Sequence, residues 1–287
     1  MGLSRRTRAT DAVVALVAVV AAAAVLAVVA VGVALLAPTL PAQGARRVEP
    51  QGIPVRFVEG MVHGFLELHT AAGALLAHGD LYQVPRGPRI DSRMIFHFLD
   101  GSYFEETVSF TQRGVFAMQS YHLVQRGPAF AADLDASLAS TGAYVVKTRA
   151  HDGNGETHES HGTLELPPDI ANGLVITLLK NLVRGDTQTV HLVAFTPAPR
   201  LIRLQLAPTG GEQRILNGQR AEAMVSYALK PQLGALAGTV ARLLNKTPPD
   251  SHVWIVTHEV PAFVRFEGPL YLGPVWRMDL TTPRWPR

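Results

Sequence analysis

The sequence predicts a mainly β fold with some helix (α+β). The expected architecture is a curved antiparallel sheet, a half-barrel or open barrel, with two covering helices, after an N-terminal transmembrane helix. Three observations predict it. Residues 12–37 carry no charged or polar side chain. From residue 53 onward, short alternating runs follow one another at about 10–14-residue spacing. Two stretches, 168–184 and 233–246, instead repeat apolar residues at helical spacing.

The leading segment, AVVALVAVVAAAAVLAVVAVGVALLA, would span roughly 39 Å as a helix, against a hydrocarbon core of about 30 Å. It exceeds the 7–15 apolar residues of a secretory signal. We read it as an anchor, with a long cleaved signal as the alternative because Ala42-Gln43-Gly44 resembles a cleavage site. Arg5, Arg6 and Arg8 precede the span. By the positive-inside rule the N-terminus is cytoplasmic and the large domain lies outside. The expected layout is therefore 1–11 cytoplasmic, 12–37 anchor, 38–52 a Pro- and Gly-containing tether, and 53–287 an extracytoplasmic β-rich domain. The expected location is a bacterial inner membrane crossed once, with the domain on the periplasmic side.

Composition narrows the function. The chain has 287 residues, 47% hydrophobic and 17% charged, which describes a folded body with a core. The net charge is +3, and Arg5, Arg6 and Arg8 against Asp11 supply two of those charges. The rest is nearly balanced, so no basic face for nucleic acid is implied. There is no cysteine, which excludes disulfides, thiolate metal sites and a cysteine nucleophile.

Taken in order, MVHGFLELHT, ALLAHGDLYQV, SRMIFHFL, SYFEETVSFTQ and VFAMQSYHLVQ read as a meander. Asp100-Gly101 between apolar runs reads as a tight hairpin. TGAYVVKTRA and ETHESHGTLEL flank another turn at Asp152-Gly153-Asn154-Gly155. TQTVHLVAF, RLIRLQLAP, the region 213–229, SHVWIVTHE, FVRFE and LYLGPVWRMDL continue the strands. The first helix is expected to open at Pro168 and stop at Gly185, with Ile170, Leu174, Leu178 and Leu182 on one face. The second carries Leu233, Leu236, Ala237, Val240, Leu243 and Leu244, and ends before Pro248-Pro249.

The run HDGNGETHESHG at 151–162 holds three histidines and three acidic residues. A zinc site needs three or four ligands on one point. On a strand, His158 and His161 face opposite ways, so a polar hairpin is the better reading. Centring its turn on Gly153-Asn154 sets His151 opposite Glu156 and Arg149 opposite His158. No metal or other cofactor is expected. Glu105 and Glu106 alternate faces and so do not share a site. Asp133 and Asp135 share a face but read as a solvated edge. No nucleophile elbow, phosphate loop or dinucleotide fingerprint occurs. The runs Met94–Leu99 and Val253–Val256 are apolar on both faces, implying cover on both.

The export segment, the meander and the run LPPDIANGLVITLLKNL resemble the curved half-barrel proteins of the bacterial envelope. These include the lipoprotein carriers LolA and LolB and exported families of unknown function. The resemblance spans residues 55–282 and rests on layout. It implies a concave apolar face that holds acyl chains, with helices plugging the opening. The chain departs from LolA, which is soluble, and from LolB, which is lipid-anchored, so no binding residue carries over.

The leading expectation is a membrane-tethered, non-enzymatic envelope protein that binds a lipid-like ligand or scaffolds a complex. Its partners would be the bilayer and that ligand. Candidate cleft-liners are Phe96, Phe98, Leu174, Leu178 and Trp254, each also a candidate for plain core. The alternative is an exported hydrolase or isomerase in which His63, His97, His122 or His258 converge with carboxylates. A third possibility is a solid structural domain with no cavity.

Overall fold

A computed structural model describes residues 52–151, 155–195, 199–210, 213–217, 220–232, 250–257 and 259–282. Their strands are β1 (Val62–Thr70), β2 (Leu75–Arg86), β3 (Arg89–Phe98), β4 (Tyr103–Arg113), β5 (Val115–Arg126), β6 (Ala132–Ala139), β7 (Ala143–Ala150) and β8 (Thr157–Thr163). After helix α1 (Val175–Asn181) come β9 (Gln188–Ala194), β10 (Arg200–Pro208), β11 (Gln213–Asn217), β12 (Arg220–Gln232), β13 (Ser251–Val256), β14 (Ala262–Gly268) and β15 (Trp276–Thr281). All fifteen strands belong to one antiparallel sheet, ordered β8-β7-β6-β5-β4-β3-β2-β1-β15-β14-β13-β12-β10-β9, with β11 also pairing β12.

The first eight strands form a continuous meander, and the chain returns so that β15 docks on β1. Alternation sets the faces. Phe104, Val108 and Phe110 of β4 are buried while Glu105, Thr107 and Ser109 are only partly so. At the β3–β4 turn, the Gly101 N–H donates to Phe98 O at 3.1 Å and Gly101 takes φ 85°. Asp100 Oδ1 accepts from the Ser102 N–H at 2.8 Å, so side chain and backbone both hold the corner.

The sheet curls on itself. Tyr121 of β5 stacks on Phe195, just past β9, with ring centroids 5.9 Å apart. Ten strand spacings separate β5 from β9 along the sheet, roughly 48 Å if it were flat. Phe130, between β5 and β6, likewise meets Trp276 of β15 at 6.0 Å. The result is an open, barrel-like sheet around one core that includes Leu68, Phe96, Phe104, Leu123, Leu206 and Ile255.

The segment between the two sheet edges covers β9. The Ala171 N–H donates to His191 O at 2.8 Å, and the His191 N–H to Asp169 O at 3.3 Å. The Asn172 side chain pairs with both the N–H and the C=O of Val193. These bonds correct the helix expected over 168–184. Residues 168–169 and 172–174 form turns on either side of an Ile170–His191 bridge, because the polar groups here serve the edge strand, and only Val175–Asn181 is helical. Gly173 completes the break at φ 70°, and a Cβ there would sit 2.8 Å from the Val108 Cβ. Ile170, Leu174, Leu178 and Leu182 are nonetheless all buried, as their spacing implied. The helix expected over 233–246 lies outside the described residues, so one covering helix is seen.

Three further expectations change. Arg149 pairs with Thr157 and Thr148 with His158, one residue out of the expected hairpin register. LYLGPVWRMDL is strand only from Trp276. Ile95 is buried on the face away from the core, between the register partners Asp80 and Glu105. Among the described residues no helix is long and apolar enough to cross a membrane, and the expected anchor at 12–37 lies outside them.

Candidate functional site

Two concavities lie against the first half of the sheet. The larger, about 760 Å³, is a depression on the outer face where Thr107, Ser109, Ser120, Ser137 and Ala139 are short. Its charged rim is already neutralised: Arg93 Nε donates to Glu105 at 2.7 Å, and His122 pairs with Asp135 at 2.8 Å. The smaller, about 300 Å³, lies inside the curl and is the candidate site. Its volume is at the lower end for ligand pockets, which run from about 300 Å³.

Four structural groups enclose it. The sheet contributes Leu81, Gln83, Ser92, Met94, Glu106 and Val108 from β2, β3 and β4. α1 contributes Ile176, Thr177 and Lys180, and the far wall is Ala262, Phe263 and Leu280. The fourth group is a strap, residues 53–61. Its course is fixed by named bonds. Val55 N–H donates to Gly114 O at 2.9 Å. Asn181 Oδ1 accepts from the Arg56 and Phe57 amides at 2.8 and 2.7 Å. The Gln112 side chain binds both the N–H and the C=O of Glu59.

The interior is apolar except for a few directed groups. Glu106 occupies the core phase of β4 between Phe104 and Val108. Burial pushes its carboxyl above the ordinary glutamate range, and the hydrogen bond donated by Tyr121 Oη at 2.7 Å offsets part of that. Burial and the neighbouring Glu106 push the Tyr121 hydroxyl well up in turn. Glu59 and Lys180 form a buried ion pair at 2.7 Å. Gln83, 4% exposed, reaches Thr177 Oγ1 with Nε2 at 3.5 Å, while its Oε1 has no partner. At the mouth, Val58 and Val260 are 76% and 73% exposed, with Val62 and Leu280 beside them. Large apolar side chains held in water around a cavity make a greasy rim.

Of the sequence-predicted cleft-liners, Phe96, Phe98, Leu174 and Leu178 sit in the core cluster, and neither concavity is lined by them. Trp254 is half-buried, at the position between core residues Val253 and Ile255. The described candidates His63, His97 and His122 stay apart, and His97 instead faces His78 across β2 and β3. His63, Tyr82, Arg93, Thr107 and His122 form one cross-strand row, so His63 and His122 are four strand spacings or roughly 19 Å apart along the sheet. His97 is four residues up β3 from that row, about 13 Å away. His258 lies outside the described residues. Among the described residues no group of three His, Asp or Glu is placed to hold a metal.

Asp133 and Asp135 share a face of β6 but serve separate partners. Burial pushes Asp133 upward, yet His151, the Gly127 N–H and Arg149 outweigh it and hold the carboxyl at about 2. Asp135 meets His122 and Arg126. Glu105 and Glu106 point to opposite faces, as alternation requires. Sequence reasoning missed Gln83, Ser92 and Glu106 as a set. The available signal was polar residues in the apolar phase of three consecutive strands.

No protein-family model and no curated protein matches the chain. Among solved structures it is similar to a β-barrel-like protein of a domain of unknown function, DUF1849, from Brucella abortus. The identity is 10% and the TM-score 0.41, over 78% of this chain and 98% of that one.

Proposed function

We propose that this is a membrane-tethered envelope protein whose extracytoplasmic barrel-like domain holds a lipid-like ligand in the interior cavity. One observation carries the reading: a largely apolar space of about 300 Å³ inside the curl is bordered by exposed Val58, Val62, Val260 and Leu280. An acyl chain entering it gains about 0.8 kcal/mol for each methylene buried. The rim gives the chain an apolar path in from a bilayer. The apolar run at 12–37 supplies the tether, and its flanking arginines the orientation.

The test is native mass spectrometry of the full chain released gently from membranes. A discrete added mass that fragments as an amphiphile is the expected result. Bare protein under conditions that preserve other lipid complexes would sink the proposal.

A further inference from the structure

The polar groups of the cavity are unevenly committed. Its one ammonium already has a counter-ion: Lys180 Nζ is held by Glu59 Oε2 at 2.7 Å, and Gln83 Nε2 is turned toward Thr177. Its acceptors are less committed. Gln83 Oε1 is buried without a partner, and an orphaned buried polar atom in a native fold calls for a cause. Glu106 lines the same space and has one hydrogen bond, from Tyr121, on Oε1. The sheet register sets Glu106 across from Met94, one step along from the Gln83–Ser92 pair. Both acceptors therefore belong to one patch of the concave wall. With Lys180 matched by Glu59, Glu106 is the carboxyl of the cavity that no cation balances.

Resting on the reading of this cavity as a ligand site, we infer that it selects an amphiphile whose head group donates hydrogen bonds and is positively charged, an aliphatic amine. It discriminates against a carboxylate of the same chain length. An ammonium beside Glu106 gains a charge-assisted hydrogen bond in a low-dielectric space. A fatty carboxylate meets like charge there. Glu106 and Gln83 act as the readers of the head group, and the apolar wall from Leu81 to Phe263 takes the tail.

The test uses the full chain in lipid nanodiscs, with empty nanodiscs as reference, and three probes of one chain length: octylamine, octan-1-ol and octanoate. Calorimetric titration near neutral pH should rank them in that order, with tenfold or more between the amine and octanoate. Glu106→Gln keeps the size and the acceptor for Tyr121 while removing the charge. It should bring the amine-to-octanoate ratio close to one. Equal binding of all three probes by the native chain, or an amine preference that survives Glu106→Gln, overturns the inference and leaves the cavity a ligand site. Absence of binding by all three overturns both.

Discussion

A carboxyl in phase with Phe104, Val108 and Phe110 is expensive to keep charged. For Glu106, burial raises the pKa in the folded state, and the Tyr121 bond recovers part of the loss. The sign follows from linkage. A group whose folded pKa lies above its unfolded value is least costly when protonated, below the ordinary glutamate range, and costs stability as pH climbs through the folded value. Glu106→Gln should therefore raise the melting temperature near pH 8 by roughly 2–4 °C, the scale of about 1 kcal/mol in a domain this size. Near pH 4 the two proteins should melt together. An equal shift at both pH values in thermal denaturation would mean that charge is not the cause. The sequence held the signal for this residue, although only the parting of Glu105 from Glu106 was read from it. In Phe104-Glu105-Glu106-Thr107-Val108, strict alternation puts Glu105 outside with Arg93 and Glu106 inside. The histidines of 151–162 are the more conspicuous residues, yet His151 meets Asp133 at 2.7 Å while His158 and His161 follow β8 to opposite faces.

At the scale of elements, strands read well and the strap did not. Period-two alternation marks β1 to β5 because one face is wet and the other is core. The segment 53–61 has no period, since its order comes from Asn181, Gln112 and Lys180, side chains 50 or more positions away. The run 168–184 shows the opposite failure. Its apolar spacing announced burial, and burial is what it has. Helix was the wrong inference for its first half, because Asp169 and Asn172 bond to β9. Asn181, 1% exposed, is the residue that joins strap to helix. Its side chain accepts two strap amides and donates to Thr177 O at 2.9 Å. Asn181→Ala leaves two amide donors without acceptors, at about 1–3 kcal/mol for each buried group. We expect a loss of about 2–4 kcal/mol in chemical denaturation. Hydrogen exchange should quicken at the Arg56 and Phe57 amides first. Unchanged protection at those two positions would show that the strap is held elsewhere.

At the scale of the molecule, nothing local in the sequence tells β1 to pair with β15, or Tyr121 to stack on Phe195. Such contacts depend on how far the sheet curls, which accumulates over many strands and leaves no periodic trace. The curl is also what makes a cavity possible. A flat sheet would set β4 far from β14 and β15, whereas here Val108, Phe263 and Leu280 line one space with α1 between the halves. The interior is thus defined by closure, while its chemistry is defined by which core-phase positions are polar. That separation allows the space to be filled without touching Glu106 or Gln83. Ile176 faces the cavity from α1, and Ile176→Trp adds bulk directly into it. If the cavity holds the ligand, the full-length variant should lose the co-purifying amphiphile seen by native mass spectrometry. Its melting temperature should stay within about 3 °C of the parent, since a side chain added to existing empty space avoids the roughly 1–3 kcal/mol cost of overpacking a filled core. An intact variant that still carries the same mass would place the ligand outside the curl, and the outer depression beside Thr107, Ser120 and Ser137 would become the surface to alter next.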